Sequence, residues 1–220
     1  MTEPHFDSDV LIEGAEFYGL SLDSKQVSHF ERYFNVLADW NNRVNLISRN
    51  DLSRFVTYHI LDSLKTVSLI DFTGIERMCD FGSGSGIPGI PIAIAFPSCS
   101  VDLIESRRKR CDFLDFIINE LNLSQCSLVC GRAERYITEA SPIYDAVITR
   151  ATCSLTEFFS LFRHSVSLRG SLIAIKGEIS ASERNDLVKA VPSDDYSITF
   201  AQPFKYPDVR TGTIVIVNRT

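Results

Sequence analysis

Hydrophobic residues in the first third of the chain recur with helical spacing. From Lys25 to Ile47 they fall every three or four positions, at Val27, Phe30, Phe34, Leu37, Trp40 and Val44. The stretch from Leu52 to Leu69 repeats this pattern, which ends at Asp71 and Gly74. Apolar stripes with this period are typical of amphipathic helices that need a packing partner. We therefore predict a helical N-terminal cap over residues 1–73, packed on the rest of the chain.

The pattern changes after Gly74 to short apolar runs that alternate with helical ones. The runs predict strands at Arg77–Phe81, Ser100–Glu105, Ser127–Cys130, Tyr144–Thr149, Ser171–Lys176, Ser197–Gln202 and Thr213–Asn218. Helices are predicted at Pro88–Phe96, Arg108–Asn122, Ala133–Ala140, Leu155–Leu168 and Ser182–Ala190. Such alternation is typical of an α/β fold with a mostly parallel sheet. We predict one α/β domain over residues 74–220, in which the last two strands form an antiparallel hairpin.

Composition and charge narrow the class of protein. Hydrophobic residues make up 45% of the 220 positions and charged residues 23%, which excludes a disordered or collagen-like chain. The 22 Lys and Arg against 28 Asp and Glu give a net charge of −6. No overall basic field therefore attracts nucleic acid or anionic lipid, and such a partner must be bound by a local patch.

The six cysteines and four histidines show no metal-binding pattern in the sequence, such as CxxC or HExxH. We therefore predict reduced thiols and no metal site. The N-terminus lacks a basic segment followed by an apolar one, and the longest apolar run, Ile87–Phe96, is too short to span a bilayer. These features predict a soluble, cytoplasmic protein without a membrane partner.

A glycine-rich segment follows the first predicted strand. Asp80, Gly82, Gly84 and Gly86 form a DxGxGxG pattern, while Gly84, Gly86 and Gly89 also satisfy the dinucleotide pattern GxGxxG. Glycines here let the backbone turn tightly and approach a ligand, and in the dinucleotide pattern a pyrophosphate lies at the helix N-terminus. A carboxylate at Asp80 is poorly placed beside a pyrophosphate but suits a cationic amino-acid group.

Three further positions lie at predicted strand ends. Glu105 follows the glycine loop by about 20 residues, where an acid can accept hydrogen bonds from two ribose hydroxyls. Without the glycine loop before it, Glu105 would be interpreted as an acid at a helix N-terminus, which the helix dipole favours. Glu134, in the segment Gly131–Glu134, offers a short acidic turn for an adenine. Arg150 ends the fourth strand, at the edge where open α/β sheets bind ligands, and its alternative role is a structural ion pair. Together these features predict a nucleoside cofactor.

Several segments from Trp40 onward resemble the small-subunit ribosomal RNA methyltransferase G family, also called glucose-inhibited division protein B. The matching segments are Asn45-Leu46-Ile47, His59-Ile60-Leu61-Asp62-Ser63, Asp80 to Pro91, Lys109 to Leu114, Gly131 to Glu134, Thr149-Arg150-Ala151 and Lys176-Gly177. The HxxDS element and the GIPGIP run are much more specific than the glycine loop. The chain departs from the family in two places: Ile47-Ser48 stands where a Thr usually follows Asn-Leu, and Thr149 and Thr152 stand where Ser and Phe are common.

The resemblance implies a Rossmann-like class I methyltransferase fold, with a mostly parallel seven-stranded sheet, that uses S-adenosyl-L-methionine to methylate N7 of a guanine in 16S ribosomal RNA. Carried over by position, Gly82 and Ile87 line the cofactor loop, Glu105 binds the ribose, Ala133 and Glu134 flank the adenine, and Arg150 closes the site. Asp80, Gly84 and Gly86 complete the expected cofactor set. Guanine N7 has a free lone pair and loses no proton on methylation, so we expect catalysis by positioning without a general base.

The candidate catalytic residues beside Arg150 are His59 and Asp62. With Ser63 they fall at i, i+3 and i+4 of a predicted helix, where they either approach the substrate together or fix the helix to the sheet. Lys176 and Arg210, in late strand ends or loops, are candidate contacts for RNA phosphate or the guanine edge. Arg107 and Arg108 belong to the densest basic cluster, which is either an RNA contact or a solvated helix face.

Two other functions remain open from the sequence. A nicotinamide-dependent oxidoreductase would use the overlapping GxGxxG pattern, although Asp80 and the HxxDS match argue against it. A noncatalytic ribosome-assembly binder would keep the fold without the reaction. The favoured prediction is a monomeric rRNA (guanine-N7)-methyltransferase whose partner is 16S ribosomal RNA or the small ribosomal subunit.

Overall fold

One sheet of seven strands organises the computed structural model of the protein, which describes residues 5–150 and 152–220. The strands are β1 (Arg77–Phe81), β2 (Ser100–Glu105), β3 (Cys126–Cys130), β4 (Tyr144–Arg150), β5 (Val166–Lys176), β6 (Tyr196–Ala201) and β7 (Thr213–Arg219). Their order is β3-β2-β1-β4-β5-β7-β6. Strands β1 to β5 pair in parallel, and β7 runs antiparallel to both of its neighbours. The predicted mostly parallel sheet with an antiparallel C-terminal hairpin is therefore confirmed, while Ala151 of the Thr149-Arg150-Ala151 segment lies outside the described residues.

Helices cover both faces of this sheet. They are α1 (Ser8–Phe17), α2 (Ser24–Asn41), α3 (Arg49–Leu52), α4 (Asp62–Leu64), α5 (Gly89–Ala95), α6 (Arg108–Glu120), α7 (Ala133–Ala140), α8 (Leu155–Phe162) and α9 (Ala181–Ala190). Successive strand residues point to opposite faces. Met78 of β1 thus joins a core with α1, α2, α5 and α6, whereas the next residue, Cys79, joins a second core with α8 and α9.

Helix α2 shows how local sequence sets the ends of an element. It begins after Asp23, whose side chain accepts from the Gln26 N–H while the Gln26 side chain accepts from the Asp23 N–H, a capping box. The helix ends at Asn41 and not at Ile47 as predicted. The Asn41 Oδ1 accepts from the N–H groups of Leu46 and Ile47, at 2.9 and 3.0 Å, and so stabilises a turn that the apolar pattern does not reveal.

The predicted helix from Leu52 to Leu69 is broken into several pieces. After α3, residues Val56–Leu61 form a π-helix, α4 follows directly, and Lys65–Ser68 form a 3-10 helix. A π-helical turn widens the backbone and is frequent at functional sites. The prediction of one regular helix is therefore wrong.

The cap and the sheet share one hydrophobic core. Phe30 and Phe34 of α2 belong to the same cluster as Leu103 of β2 and Phe113 of α6. The boundary after residue 73 stays a prediction.

The other predicted helices and strands are close to the observed ones, with one exception. The stretch predicted as helical up to Leu168 stops at Phe162, because β5 already begins at Val166, which pairs with Tyr144 of β4. Within the described ranges, no helix combines the length and apolar character needed to cross a membrane.

Candidate active site

A cavity of about 340 Å³ opens at the carboxyl ends of β1 to β4, and we call it the Glu105 cavity. The strand order reverses between β1 and β4, which is where open α/β sheets bind ligands. Its walls are formed by Phe81, Gly82, Ile104, Glu105, Ser106, Arg107, Arg110, Gly131, Arg132, Ala133, Glu134, Arg150 and Thr152. Five residues of the predicted cofactor set, from Gly82 to Arg150, are thus brought together in one cavity.

The glycine loop lies against the end of β2. The N–H groups of Gly82 and Ser83 donate to the Ile104 carbonyl, at 2.9 and 3.1 Å, and the Gly84 N–H donates to Glu105 Oε2 at 2.9 Å. Gly86 has a φ of +87°, and a Cβ there would lie 2.6 Å from the Ile90 side chain. The loop thus requires glycine at this turn and is held in shape by Glu105.

Asp80 lies behind the loop and is fully buried. Its Oδ2 accepts from the Gly89 N–H at 3.0 Å, and its Oδ1 has no hydrogen-bond partner among the described residues. Burial, with a smaller contribution from the Glu105 charge, raises the pKa of Asp80 to about 7, against the lowering effect of its contacts with Gly89 and Ser83. Asp80 lines neither of the two cavities of this site. Its contact with a cationic group stays a prediction, and Oδ1 is the atom that could accept such a contact.

Glu105 joins the two loops of the cavity. Besides accepting from Gly84, it accepts from the Arg107 N–H through Oε1 at 2.7 Å, and Arg110 Nη1 lies 3.9 Å from Oε2. The side chain is nearly buried, yet it forms part of the cavity wall. Each carboxylate oxygen can accept more than one hydrogen bond, so acceptor capacity remains toward the cavity.

The far wall of the cavity begins at the N-terminus of α7. Ala133 is buried and Glu134 is exposed, and both line the cavity as predicted for an adenine side. Of the predicted basic cluster, Arg107 lines the cavity, whereas Arg108 points away and pairs with Asp112 at 3.2 Å. Arg108 thus matches the solvated-helix alternative better than a contact at this site.

Cys111 and Cys130 form a disulfide that links α6 to the end of β3. The prediction of reduced thiols is therefore wrong for this pair. Cys130 pairs in register with Glu105, and α6 begins three residues after Glu105, so the first turn of α6 passes over the end of β3 and brings the two Cα atoms to 5.8 Å. The other four cysteines are free in the structure.

A second cavity of about 250 Å³ adjoins the first, and we call it the His59 cavity. Its walls are formed by Leu46, Ile47, Ser48, Asp51, His59, Gly82, Ser83, Gly84, Ser85, Ile87, Arg110, Arg150 and Arg210. The two cavities share Gly82, Arg110 and Arg150. The cap supplies one side of the His59 cavity and the glycine loop supplies the other.

Arg150 connects the cap to the end of β4. Its Nη1 lies 3.2 Å from His59 Nδ1, its Nη2 donates to the Tyr58 carbonyl at 3.3 Å, and its Nε lies 3.6 Å from Asp62 Oδ2. Burial lowers the pKa of Arg150, while the Asp62 charge opposes this effect. The guanidinium is thus held at a fixed position between the two cavities.

Asp62 supports Arg150 from behind and lines neither cavity. It is 2% exposed and pairs with the buried ammonium of Lys65, which also donates to the Arg210 carbonyl at 3.1 Å. Ser63 Oγ donates to the His59 carbonyl at 2.7 Å. Neither Asp62 nor Ser63 lines a cavity, and of the HxxDS element His59 alone reaches a cavity wall.

His59 is a neutral donor at the wall of its cavity. Because Arg150 is a permanent donor, the facing Nδ1 of His59 must accept, which places the ring proton on Nε2. Burial, followed by the charges of Arg150, Arg210 and Arg54, lowers the pKa of His59 to about 2. The Nε2–H has no hydrogen-bond partner in the part of the chain that the structure describes, and the nearest acidic oxygen, Asp51 Oδ2, lies 3.9 Å away.

The two late basic residues differ in their surroundings. Arg210 lines the His59 cavity and donates through Nη2 to Asp51 Oδ2 at 3.1 Å. Lys176 lies outside both cavities, where its Nζ donates to the Cys153 carbonyl at 3.0 Å and pairs with Glu183 at 2.9 Å. Its predicted RNA contact would have to compete with that ion pair.

Asp51 is a cavity residue that sequence reasoning missed. It stands in α3, outside the glycine loop and the HxxDS element, and no spacing in the sequence marks it. It reaches the site because Arg210, 159 positions away, folds against it.

Comparisons with known proteins agree with these observations. Residues 26–207 match the family described as rRNA small subunit methyltransferase G. A ribosomal RNA small subunit methyltransferase G of Lysinibacillus sphaericus is 31% identical over 208 residues, which cover 94% of this chain and 87% of the relative. The protein of the same name in Chromobacterium violaceum is 39% identical over 167 residues, covering 76% of this chain and 78% of the relative.

Among solved structures, the O-methyltransferase from Bacillus cereus in complex with SAH has a TM-score of 0.60 at 13% identity. The match covers 97% of this chain and all of that one. This likeness supports the class I methyltransferase fold.

Proposed function

The chain belongs to the rRNA small subunit methyltransferase G family, and on this premise we propose that it transfers the methyl group of S-adenosylmethionine to N7 of a guanine in 16S ribosomal RNA. The observation that carries the assignment of sites is the adjacency of two cavities at the point where the strand order reverses. The Glu105 cavity would hold the cofactor and the His59 cavity the acceptor base.

The residues of the Glu105 cavity fit S-adenosylmethionine. The Glu105 carboxylate has free acceptor capacity for two ribose hydroxyls, and Ala133 with Glu134 offers an apolar surface and an acceptor to an adenine. Glycine at position 89 lets α5 pack closely on β1 below the loop, because a Cβ there would lie 2.7 Å from Asp80 Oδ2. Asp80 lies behind the loop and outside both cavities, and it supports the loop by accepting from the Gly89 N–H at 3.0 Å.

Methylation at guanine N7 needs no proton transfer. S-adenosylmethionine, when bound, supplies a methyl group on a positively charged sulfur, and the N7 lone pair forms the new bond while the carbon–sulfur electron pair stays on sulfur. His59 is consistent with this chemistry, since its lowered pKa keeps it neutral near pH 7 and its Nδ1 is occupied by Arg150. No residue of the two cavities is then required as a general base.

The chain accelerates the reaction by positioning. Arg150 contacts the wall of both cavities and is fixed by His59, Tyr58 and Asp62. A rigid boundary between cofactor and base favours an in-line approach, for which effective molarity is the main resource. We propose Arg150 and His59 as the residues that set this approach and Asp62 as a positioning residue that acts through Arg150.

RNA binding by a chain of net charge −6 requires a local positive surface. Arg110, Arg150 and Arg210 provide one around the His59 cavity, and Arg107 extends it along the Glu105 cavity. Arginine contacts to phosphate supply affinity that falls with salt concentration. The protein would act in the cytoplasm as a monomer without a metal, which light scattering and an assay with a chelator can check.

Methyl transfer from labelled S-adenosylmethionine tests the proposal. The acceptors are 16S RNA and small ribosomal subunits from cells that lack this protein, and mass spectrometry identifies the product base. We expect one 7-methylguanine per RNA, lost in Glu105→Ala and Arg150→Ala but retained in Arg108→Ala, the control outside both cavities. Cofactor binding without transfer to either acceptor would contradict the substrate and favour an assembly binder. Binding of NADH in place of S-adenosylmethionine would favour the oxidoreductase alternative.

A further inference from the structure

The His59 cavity contains a carboxylate in surroundings that are otherwise basic. Among the described residues of its wall, Asp51 is the only acidic one, whereas Arg110, Arg150 and Arg210 are cationic. A wall that only attracted a polyanion would gain nothing from this carboxylate, which repels phosphate. Asp51 must therefore either neutralise its basic neighbours or contact a group that donates hydrogen bonds.

The contacts of Asp51 leave room for a ligand. Its Oδ1 accepts from Arg54 Nη2 at 2.8 Å and its Oδ2 from Arg210 Nη2 at 3.1 Å, so one acceptor site on each oxygen remains. The side chain is 15% exposed and faces the cavity. The guanidinium groups of Arg54 and Arg210 hold the carboxylate in place. Arg210 lines the cavity, whereas Arg54 lies outside it.

The location of Asp51 fits one edge of the acceptor base. Asp51 lines the His59 cavity and not the Glu105 cavity, while Gly82, Arg110 and Arg150 line both. A base that pointed one edge at Asp51 would thus have its opposite edge free to face the shared residues and the Glu105 cavity. In guanine, the Watson–Crick edge lies opposite the edge that carries N7.

We propose that Asp51 recognises the acceptor guanine by accepting hydrogen bonds from N1–H and from the N2 amino group; this inference rests on the function proposed above. Guanine presents two adjacent donors on this edge, a pattern that a carboxylate matches with its two oxygens. Adenine presents an acceptor at N1 instead, which a carboxylate repels. Asp51 is then the specificity-determining residue for guanine.

The same contact favours the reaction itself. When N7 forms its bond to the methyl carbon, the ring becomes cationic while the N1 proton stays in place. The hydrogen bonds from N1–H and N2–H to Asp51 strengthen as this charge develops. An interaction that is stronger in the transition state than in the ground state raises kcat, not only affinity.

Substrate analogues and variants combined in one cycle test this proposal. Small subunits are reconstituted with 16S RNA that carries guanosine or inosine at the mapped acceptor position. Inosine retains N7, O6 and N1–H and lacks only the N2 amino group. For the unaltered protein we expect kcat/KM to fall by about tenfold to a hundredfold on inosine, because one hydrogen bond to a charged group is lost. In Asp51→Asn the two substrates should differ by less than about threefold.

The control is Asp112→Asn, which makes the same carboxylate-to-amide change at a residue that pairs with Arg108 and lines neither cavity. It should keep the preference of the unaltered protein for guanosine over inosine. An equal loss on both substrates in Asp51→Asn, with that preference intact, would mean that Asp51 only balances Arg210 and would overturn the proposal. So would an unaltered protein that methylates inosine as fast as guanosine. If Asp51→Asn falls below detection, equilibrium binding of the two RNAs supplies the ground-state part of the preference, and a preference for guanosine that survives there in Asp51→Asn would also overturn the proposal. No methylation of the guanosine substrate by the unaltered protein would instead refute the proposed function.

Discussion

Replacing Glu105 by glutamine tests both its proposed role as ligand of the cofactor and its role as support of the glycine loop. The change keeps the size of the side chain but removes the charge and turns one acceptor oxygen into a donor nitrogen. Both oxygens are in use, since Gly84 N–H donates to one at 2.9 Å and Arg107 N–H to the other at 2.7 Å. In either orientation of the glutamine side chain, its NH2 group must face the N–H group of Gly84 or of Arg107.

The magnitude follows from these contacts. A hydrogen bond to a charged group contributes about 1.5–3 kcal/mol, so losing one ribose contact should weaken cofactor binding by about tenfold to a hundredfold. The nearly buried position of Glu105 means that water cannot replace the lost acceptor without entering the loop. We expect an additional loss of stability, because either Gly84 or Arg107 keeps an unpaired N–H.

Calorimetric titration with S-adenosylhomocysteine measures this effect. The matched control is Glu139→Gln, the same change at an exposed residue of α7 that lines neither cavity and pairs with Arg135. We expect its Kd to change by less than about threefold. A Kd for Glu105→Gln that is as small as that of the control would refute the assignment of the ribose to Glu105.

Three further predictions concern the loop, the histidine and the arginine. Gly86→Ala should lower the free energy of unfolding by about 2–4 kcal/mol, from strain at positive φ and overlap with the Ile90 side chain; denaturant titration should find little change in Gly74→Ala, where a Cβ meets nothing within 4 Å. His59 has a pKa of about 2 in the folded chain and about 6.5 when unfolded, so the unfolded chain binds its proton first and acidification costs stability. By about pH 5 this cost reaches about 2 kcal/mol. Between pH 7 and pH 5 the unfolding free energy of His59→Gln should therefore fall by about 2 kcal/mol less than that of the unaltered protein. If both proteins lose the same amount, His59 is not neutral in the folded chain. Arg150→Lys keeps the positive charge but loses the planar guanidinium group with its several donors. Single-turnover methyl transfer should therefore slow by at least about tenfold, while S-adenosylhomocysteine still binds. An unchanged rate would exclude a positioning role for Arg150.

The parts of the fold that could be predicted are those specified by local pattern. Strands β1 and β2 lie where predicted, because buried parallel strands form short apolar runs whose ends are marked by charged residues or glycine. That several proposed cofactor residues would meet at one cavity could be predicted for a related reason. Gly82, Glu105 and Arg150 stand at strand ends, and the carboxyl ends of parallel strands meet at one edge.

The parts that could not be predicted depend on contacts between distant residues. The π-helix at Val56–Leu61 places His59 against Arg150, which is 91 positions away in the sequence. The disulfide depends on the register of β2 and β3, which brings Cys130 beside Glu105 and so under the first turn of α6. No spacing of cysteines reveals this pairing.

With the cofactor and the acceptor base placed as proposed, the two cavities would divide chemistry from specificity between two parts of the chain. The Glu105 cavity is built from strand ends and the glycine loop. The cap contributes Ile47, Asp51 and His59 to the second cavity and is tied to the sheet at Arg150. Since a sulfonium methyl group can react with many kinds of nucleophile, the choice of acceptor would come from the second cavity. A cap that shares its core with the sheet can therefore change the substrate of this fold while the cofactor site stays the same, and substitutions at Asp51 should change which base is methylated before they change whether the cofactor binds.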